Sequence, residues 1–411
     1  MKKKKKKYGT DLIGLVLVLE AFLLRFIYIY LLQFEKLGDF IKWMPAQNHQ
    51  RALSLVNNGL VHYGNAWGSY YLILGLKYQV FEWLGIKDYV RGAILVQVVI
   101  GAVTIFWFFK IAEKLFGKSK AIISSALLIF YFPVSYFNAV LSGETVFMFL
   151  LIIGIWRYLN QKYFWSGLMI GLAAAIRPIL ITFLPLFLIY AFFKTKGKKK
   201  WLGLNRMLIG LIIPLLVFGM LNFMFSHQRK FQLNGSTGVN MAMAQCKFKK
   251  VEYTISNGET HWFSPPAFWE TDLPVKETQV AFYDNGYYVK MALNCFLNKP
   301  QNLVNNLVYV KNIFSSKFYP EFRMEPLMDE MLGFSKILLL TSLFLFLVHP
   351  FLTKKKEEYW LFFVLFFSMV LSVYLANPGE ERYIIPYAWV LFLFAPESVE
   401  RIIFYLKRLK K

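Results

Sequence analysis

Residues 91–109 read RGAILVQVVIGAVTIFWFF, and after the leading arginine no charge appears until Lys110. At 1.5 Å per helical residue, such a run crosses about 30 Å of hydrocarbon. Working outward, runs of the same kind recur at 11–33, 121–140, 145–160, 163–177, 178–193, 207–226, 336–352, 359–376 and 383–397. They are continuous rather than alternating, which excludes a β-barrel. A mean hydropathy of +0.44 with 57% hydrophobic residues is more apolar than a water-facing fold can bury. The expected fold is therefore an all-α polytopic membrane protein of about ten transmembrane helices, with outer juxtamembrane helices and a small mixed α/β outer cap loop.

The net charge of +23 lies in short clusters between the apolar runs rather than in one basic module, so no nucleic-acid partner is expected. Those clusters orient the chain. The segment Trp67–Gly85 is apolar but contains Lys77, Gln79 and Glu82, and whether it crosses decides the side of everything after it. If it lies in the outer interface, then Lys2–Lys7, Lys110–Lys120, Lys194–Arg206, Lys354–Lys356 and Lys407–Lys411 all face the cytoplasm, as the positive-inside bias requires. Trp67, Tyr70, Tyr71, Tyr78 and Trp83 suit that interfacial depth. No small-residue cleavage site follows the run Asp11–Phe34, so it reads as a retained first span. The expected location is the plasma or inner membrane, multi-pass, with both termini cytoplasmic.

Three parts follow: a membrane core over 1–226 with an outer loop at 34–90, an extracytoplasmic cap over 227–334, and C-terminal helices with a basic tail over 335–411. In the cap, Ala281–Leu297 and Asn302–Phe314 read as helices and Gln232–Tyr253 as turn and strand. Both cysteines, Cys246 and Cys295, fall there. In an oxidising compartment they would pair, closing a loop worth about 4 kcal/mol in the chain-entropy account. Two unpaired thiols are the alternative.

Charges at span ends are functional candidates because burying them in lipid is costly. Asp39, Glu144, Arg177 and Glu380–Tyr383 all fall at outer helix ends in this topology. There a carboxylate can take a proton from an acceptor hydroxyl, and arginines can hold a phosphate. Pro178 also has a structural role, since proline opens a helix readily. Arg25, inside the first span, either faces the bundle or snorkels.

The order of these features resembles the C-type fold of membrane glycosyltransferases, the group of dolichyl-phosphate-mannose protein mannosyltransferases and aminoarabinose transferases. The resemblance rests on Ala52–Leu55 to Gly59, the interfacial segment, Arg91, Lys114-Leu115-Phe116-Gly117, Leu141-Ser142-Gly143-Glu144, Gly167-Leu168 through Gly171-Leu172-Ala173 to Arg177-Pro178, and Glu381-Arg382-Tyr383 with Pro386. In the cap, Gly238-Val239-Asn240 is similar to a Gly-x-Asn of bacterial relatives; an ordinary turn residue is the other reading of Asn240.

The resemblance implies sugar transfer from a polyprenyl-phosphate donor to an envelope lipid, glycan or protein acceptor. Asp39 and Glu144 would be catalytic, Arg382 and Arg177 would bind the donor phosphate, and Glu381 and Asn240 would touch substrate. Asp39, Glu144 and Arg382 would converge on one outer cavity. No phosphate loop, Asp-x-Asp motif or metal-ligand spacing is present, so neither cofactor nor metal is expected. One departure matters: where relatives carry the outer-loop aspartate this chain has Met44, and Asp39 lies five residues earlier. Either Asp39 serves in a shifted loop, or the chain is a catalytically silent scaffold. A transporter or flippase would be expected to show inverted repeats with broken helices at mid-membrane.

Overall fold

The computed structural model describes residues 2–31, 44–59, 70–194, 200–225, 229–254, 258–264, 271–299, 301–314, 326–353, 357–376 and 381–409. Asp39, Glu380 and Lys354–Lys356 lie outside them. The described helices are α1 (Lys2–Leu31), α2 (Met44–Asn58), α3 (Tyr70–Trp83), α4 (Tyr89–Phe116), α5 (Lys118–Phe130), α6 (Phe132–Ala139), α7 (Glu144–Leu159), α8 (Tyr163–Ile176), α9 (Phe183–Lys194) and α10 (Lys200–Phe225). The cap follows as α11 (Thr237–Cys246), strands β1 (Lys250–Thr254), β2 (Thr260–Phe263) and β3 (Val275–Thr278), and α12 (Asn285–Asn298), α13 (Gln301–Asn305) and α14 (Leu307–Asn312). The chain then returns through α15 (Pro326–Leu352), α16 (Glu357–Ala376) and α17 (Ala388–Leu409).

Five of these helices contain apolar stretches long enough to cross a membrane alone: Asp11–Ile29, Tyr89–Phe116, Trp201–Phe225, Glu330–Leu352 and Glu358–Leu375. The run expected at 121–140 is a bent pair, α5 and α6, which meet at 53° and would make a sixth span. Its cause is Pro133 in the first turn of α6: proline supplies no N–H to continue the ladder, and Tyr131 adopts an extended backbone between the two helices. Tyr163–Ile176 and Pro178–Lys194 are apolar but shorter. The run at 383–397 divides into two 3₁₀ turns, Glu381–Tyr383 and Ile385–Tyr387, and the buried first half of α17.

The bundle has two chemically different ends. At one, Lys110 pairs with Asp11 at 2.5 Å, Lys114 donates to the Leu159 carbonyl and to Asn160 Oδ1 at 2.6 and 2.9 Å, and Lys120 pairs with Glu397 and Glu400. These contacts tie α1, α4, α5, α7 and α17 together. Glu144 begins α7 and Leu159 ends it, so Glu144 lies about 22 Å away, at the other end.

Small residues set the closest helix approach. A Cβ at Gly167 or Gly210 would overlap the backbone of Met207 or Phe164, and one at Gly171 would sit 2.5 Å from the Leu211 carbonyl oxygen. Helices α8 and α10 thus pack backbone to backbone, the arrangement that small residues permit in lipid, where no hydrophobic drive presses helices together.

The cap rests on the C-terminal end of α16. Gln245 Nε2 donates to the Leu375 carbonyl at 2.6 Å, Asn306 Nδ2 donates to the Tyr374 carbonyl and to Gln245 Oε1, and Asn302 Nδ2 donates to the Gln245 carbonyl. One turn earlier on α16, Ser372 donates to the Ile179 carbonyl, which places the cap at the Arg177 end of the bundle. Strand β1 pairs antiparallel with β2 and parallel with β3. Cys246 at the end of α11 is disulfide-bonded to Cys295 of α12, with Cα atoms 5.2 Å apart.

Two cap expectations need correction. Within Gln232–Tyr253, residues 237–246 form a helix, because the Met-Ala-Met-Ala-Gln run favours helix and is buried against α12 and α16. The helix expected from Ala281 starts at Asn285, where the Asp284 side chain accepts from the Tyr287 N–H and caps it.

Two outcomes follow from this packing. Gly171→Leu should lower the melting temperature of the detergent-solubilised protein by several degrees, since overpacking against backbone costs about 1–3 kcal/mol. Gly333→Ala, on α15 with nothing within 4 Å of its added Cβ, should leave it unchanged or raise it slightly.

The second concerns Lys247, whose Nζ is held by Asn306 Oδ1 at 2.5 Å and lies 4.2 Å from the Tyr309 ring centroid. Burial lowers its pKa from 10.5 to about 8. Between those values the unfolded chain binds a proton that the folded cap does not, so stability rises with pH across that window. Burial raises the Tyr309 hydroxyl, which opposes the rise above about 10, where an unperturbed tyrosine titrates. Wild type should therefore gain melting temperature relative to Lys247→Met from pH 8 to 10, and a constant difference would contradict this.

Candidate active site around Glu144 and Arg177

The site begins with a proline. A residue preceding proline is driven out of the helical region, so α8 stops at Ile176 and Arg177 takes an extended backbone, φ −131° and ψ 95°. Pro178 opens the 3₁₀ turn Pro178–Thr182, whose Thr182 hydroxyl hydrogen-bonds the Ser368 carbonyl of α16. The arginine is thus anchored in backbone on both sides while its side chain leaves the line of the helix.

That side chain meets Glu144. Arg177 Nη2 pairs with Glu144 Oε1, and the glutamate is only 3% exposed. Its second oxygen, Oε2, is buried and finds no hydrogen-bond partner among the described residues. A carboxylate in this position requires the guanidinium, because an unpaired buried charge costs several kcal/mol. Glu144 is also the first residue of α7, where the helix N-terminus favours an acid.

Two buried tyrosines lie near the pair. Tyr70 of α3 and Tyr387 of the second 3₁₀ turn are both buried and close enough to feel the Arg177 charge. The Tyr387 hydroxyl has no hydrogen-bond partner among the described residues, and its ring lies 5.6 Å from that of Phe147, one turn beyond Glu144. Sequence reasoning did not single out Tyr387; its only signal was its place four residues after the Arg-Tyr pair.

The remaining candidates are distributed as follows. Arg382 is buried on the 3₁₀ turn Glu381–Tyr383, with its guanidinium 5.4 Å from the Tyr383 ring centroid. The adjoining turn Ile385–Tyr387 packs on α7, which brings this segment beside the Glu144 helix. Glu381 begins the first turn. Asn240 lies within α11 in the cap rather than in a turn. Asp39 lies outside the described residues, and α2 begins five residues after it. Arg25 is wholly buried in the bundle; its Nη1 donates to the Ala21 carbonyl, while Nε and Nη2 find no partner among the described residues.

A cavity of about 260 Å³ opens between α1, the α5–α6 bend and α15, lined by Tyr28, Phe130, Phe132, Glu330, Met331 and Phe334. Glu144 and Arg177 do not line it. Among the described residues, no three His, Cys, Asp or Glu side chains gather as metal ligands.

Residues 73–223 match the family of dolichyl-phosphate-mannose-protein mannosyltransferases. The chain is a multi-pass membrane protein, and its stretch 73–223 is similar to a family of membrane glycosyltransferases. The matched stretch runs from within α3 to within α10 and contains Glu144 and Arg177; Arg382, Asn240 and both cysteines lie beyond it. No curated protein and no solved structure matches the chain.

The ion pair can be tested without substrate. Arg177→Met strands the Glu144 carboxylate and should destabilise the protein by about 3 kcal/mol. The double variant Glu144→Gln/Arg177→Met should recover most of that loss in thermal unfolding. A double variant as unstable as the single one would show that the pair is not the source.

Proposed function

We propose that the chain transfers a hexosyl or pentosyl group from a polyprenyl-phosphate donor to an envelope lipid, glycan or protein acceptor on the outer face of the membrane. The observation that carries this reading is the buried Glu144–Arg177 pair, inside the family-matched stretch and at the bundle end opposite Lys110, Lys114 and Lys120. The positive-inside bias assigns the basic end to the cytoplasm and hence the pair to the outer leaflet, where a lipid-linked donor presents its phosphate. In this reading the ten apolar runs cross, the shorter ones through helices that are partly sheltered by their neighbours.

In the reaction, the acceptor hydroxyl oxygen attacks the anomeric carbon and the carbon–oxygen bond to phosphate breaks, its electron pair leaving with the phosphate. Asp39 takes the hydroxyl proton. Arg382 and Arg177 neutralise the departing phosphate, a role suited to guanidinium forks in a site that excludes water. Glu144 orients Arg177 through Oε1 and a sugar hydroxyl through Oε2, and Glu381 and Asn240 contact the substrates.

A second reading, a catalytically silent scaffold of an envelope-glycan assembly, is favoured by Met44 standing where relatives place the acid. Mass spectrometry of products from a synthetic polyprenyl-phosphate sugar separates the two. Sugar transfer or release by wild type that Asp39→Asn lowers by about a hundred-fold or more is the expected result for loss of a general base. Equal traces in both would favour the scaffold.

A further inference from the structure

The turn that presents Glu144 is held by an unusual share of side chains. Between Phe137 and Leu141 the backbone leaves helix α6 and reverses before α7, so its carbonyls lack helical partners. Side chains take them up. Thr145 Oγ1 donates to the Phe137 carbonyl at 3.2 Å, Gln97 Nε2 donates to the Asn138 and Val140 carbonyls at 3.0 and 2.8 Å, and Asn48 Nδ2 donates to the Leu141 carbonyl at 3.0 Å. The donors come from α7, α4 and α2.

Gln97 is the centre of this arrangement. It is wholly buried in an apolar helix, a costly place for an amide unless its hydrogen bonds are made. Both Nε2 protons are used, and Oε1 accepts from the Tyr70 hydroxyl of α3 at 2.5 Å. One turn along the same face, Gly101 leaves room for Asn138, whose Oδ1 a Cβ would overlap. Helix α4 therefore offers the turn a glutamine and then a gap.

The same tyrosine packs beside the residue that precedes Glu144. Tyr70 feels the Arg177 charge, and a Cβ added to Gly143, the residue before Glu144, would lie 3.5 Å from Tyr70 Cβ. We infer that Gln97, oriented by Tyr70, is a positioning residue that sets the seat of Glu144 and couples it to the juxtamembrane helices α2 and α3. This deepens the proposed function and rests on it where transfer is concerned. Any shift of the outer-loop helices on engaging donor or acceptor moves Tyr70 and Asn48, and with them the turn that carries the carboxylate.

The test uses the full chain in lipid nanodiscs, with Gln97→Leu, Tyr70→Phe and their double variant. In hydrogen exchange, amides 140–146 should exchange about ten-fold faster in Gln97→Leu, while α15 and α16 keep their protection. With the polyprenyl-phosphate sugar, kcat should fall by about ten-fold or more while donor KM stays within about two-fold, as for a displaced catalytic group. Tyr70→Phe, which removes one oxygen, should show the same pattern more weakly and survive if Gln97→Leu folds poorly. The double variant should be no worse than Gln97→Leu, because both residues act through one hydrogen bond. Unchanged exchange at 140–146, faster exchange throughout the bundle, or additive effects would each overturn the inference. If wild type transfers no sugar, the proposed function fails, and the exchange pattern and its non-additivity still decide whether Gln97 seats the turn.

Discussion

A carboxylate that is nearly removed from solvent beside a membrane bundle can stay charged only if a cation is delivered to it, and in this chain proline delivers it. Pro178 forces Arg177 out of the α8 helix, and the released side chain reaches Glu144 at the start of α7. The other features at that end depend on this meeting. Tyr70 and Tyr387 pack where the guanidinium charge is felt, the 140–143 turn is fixed so that Glu144 points inward, and α16 receives both the 3₁₀ turn after Arg177 and the cap.

The opposite end is built on another principle. There lysines satisfy helix C-terminal carbonyls and scattered acids: Lys114 reaches Leu159 and Asn160, and Lys120 reaches Glu397 and Glu400. Such contacts favour cations at helix C-termini and serve packing rather than chemistry. The separation of a cation-rich end from an acid–arginine end suits the proposed function, in which chemistry is confined to one face of the membrane. In the proposed orientation the disulfide lies on the outer side with Glu144 and Arg177, where oxidation persists.

Much of this was legible in the sequence, and the reasons differ from residue to residue. Helices α4 and α10 announce themselves because an uncharged run of that length has no other stable form in lipid. Arg177-Pro178 was readable as a helix boundary, and Glu144 as a boundary charge, but their mutual contact was not, since it joins two helix ends across the bundle. Gln97 was invisible: one amide in an apolar run looks tolerated until its three hydrogen bonds are seen. Helix α11 was misread because Gly235, Ser236 and Gly238 signal a turn, whereas burial of the following Met-Ala run decides the outcome. The bend at Tyr131 was signalled by Pro133 and outweighed by the apolar run around it. The place of Asp39 relative to Met44 is a matter of loop register, which hydrophobic patterning does not encode.

Sidedness carries the whole account, because the chemistry proposed for Glu144 and Arg177 needs a donor phosphate at the outer leaflet. The most direct measurement is reporter or cysteine labelling at Asn257 in the cap and Gly197 between α9 and α10, in intact and permeabilised cells. The account predicts that Asn257 is labelled from outside and Gly197 only after permeabilisation. An outward Gly197 would place the basic end outside and contradict both the orientation and the mechanism.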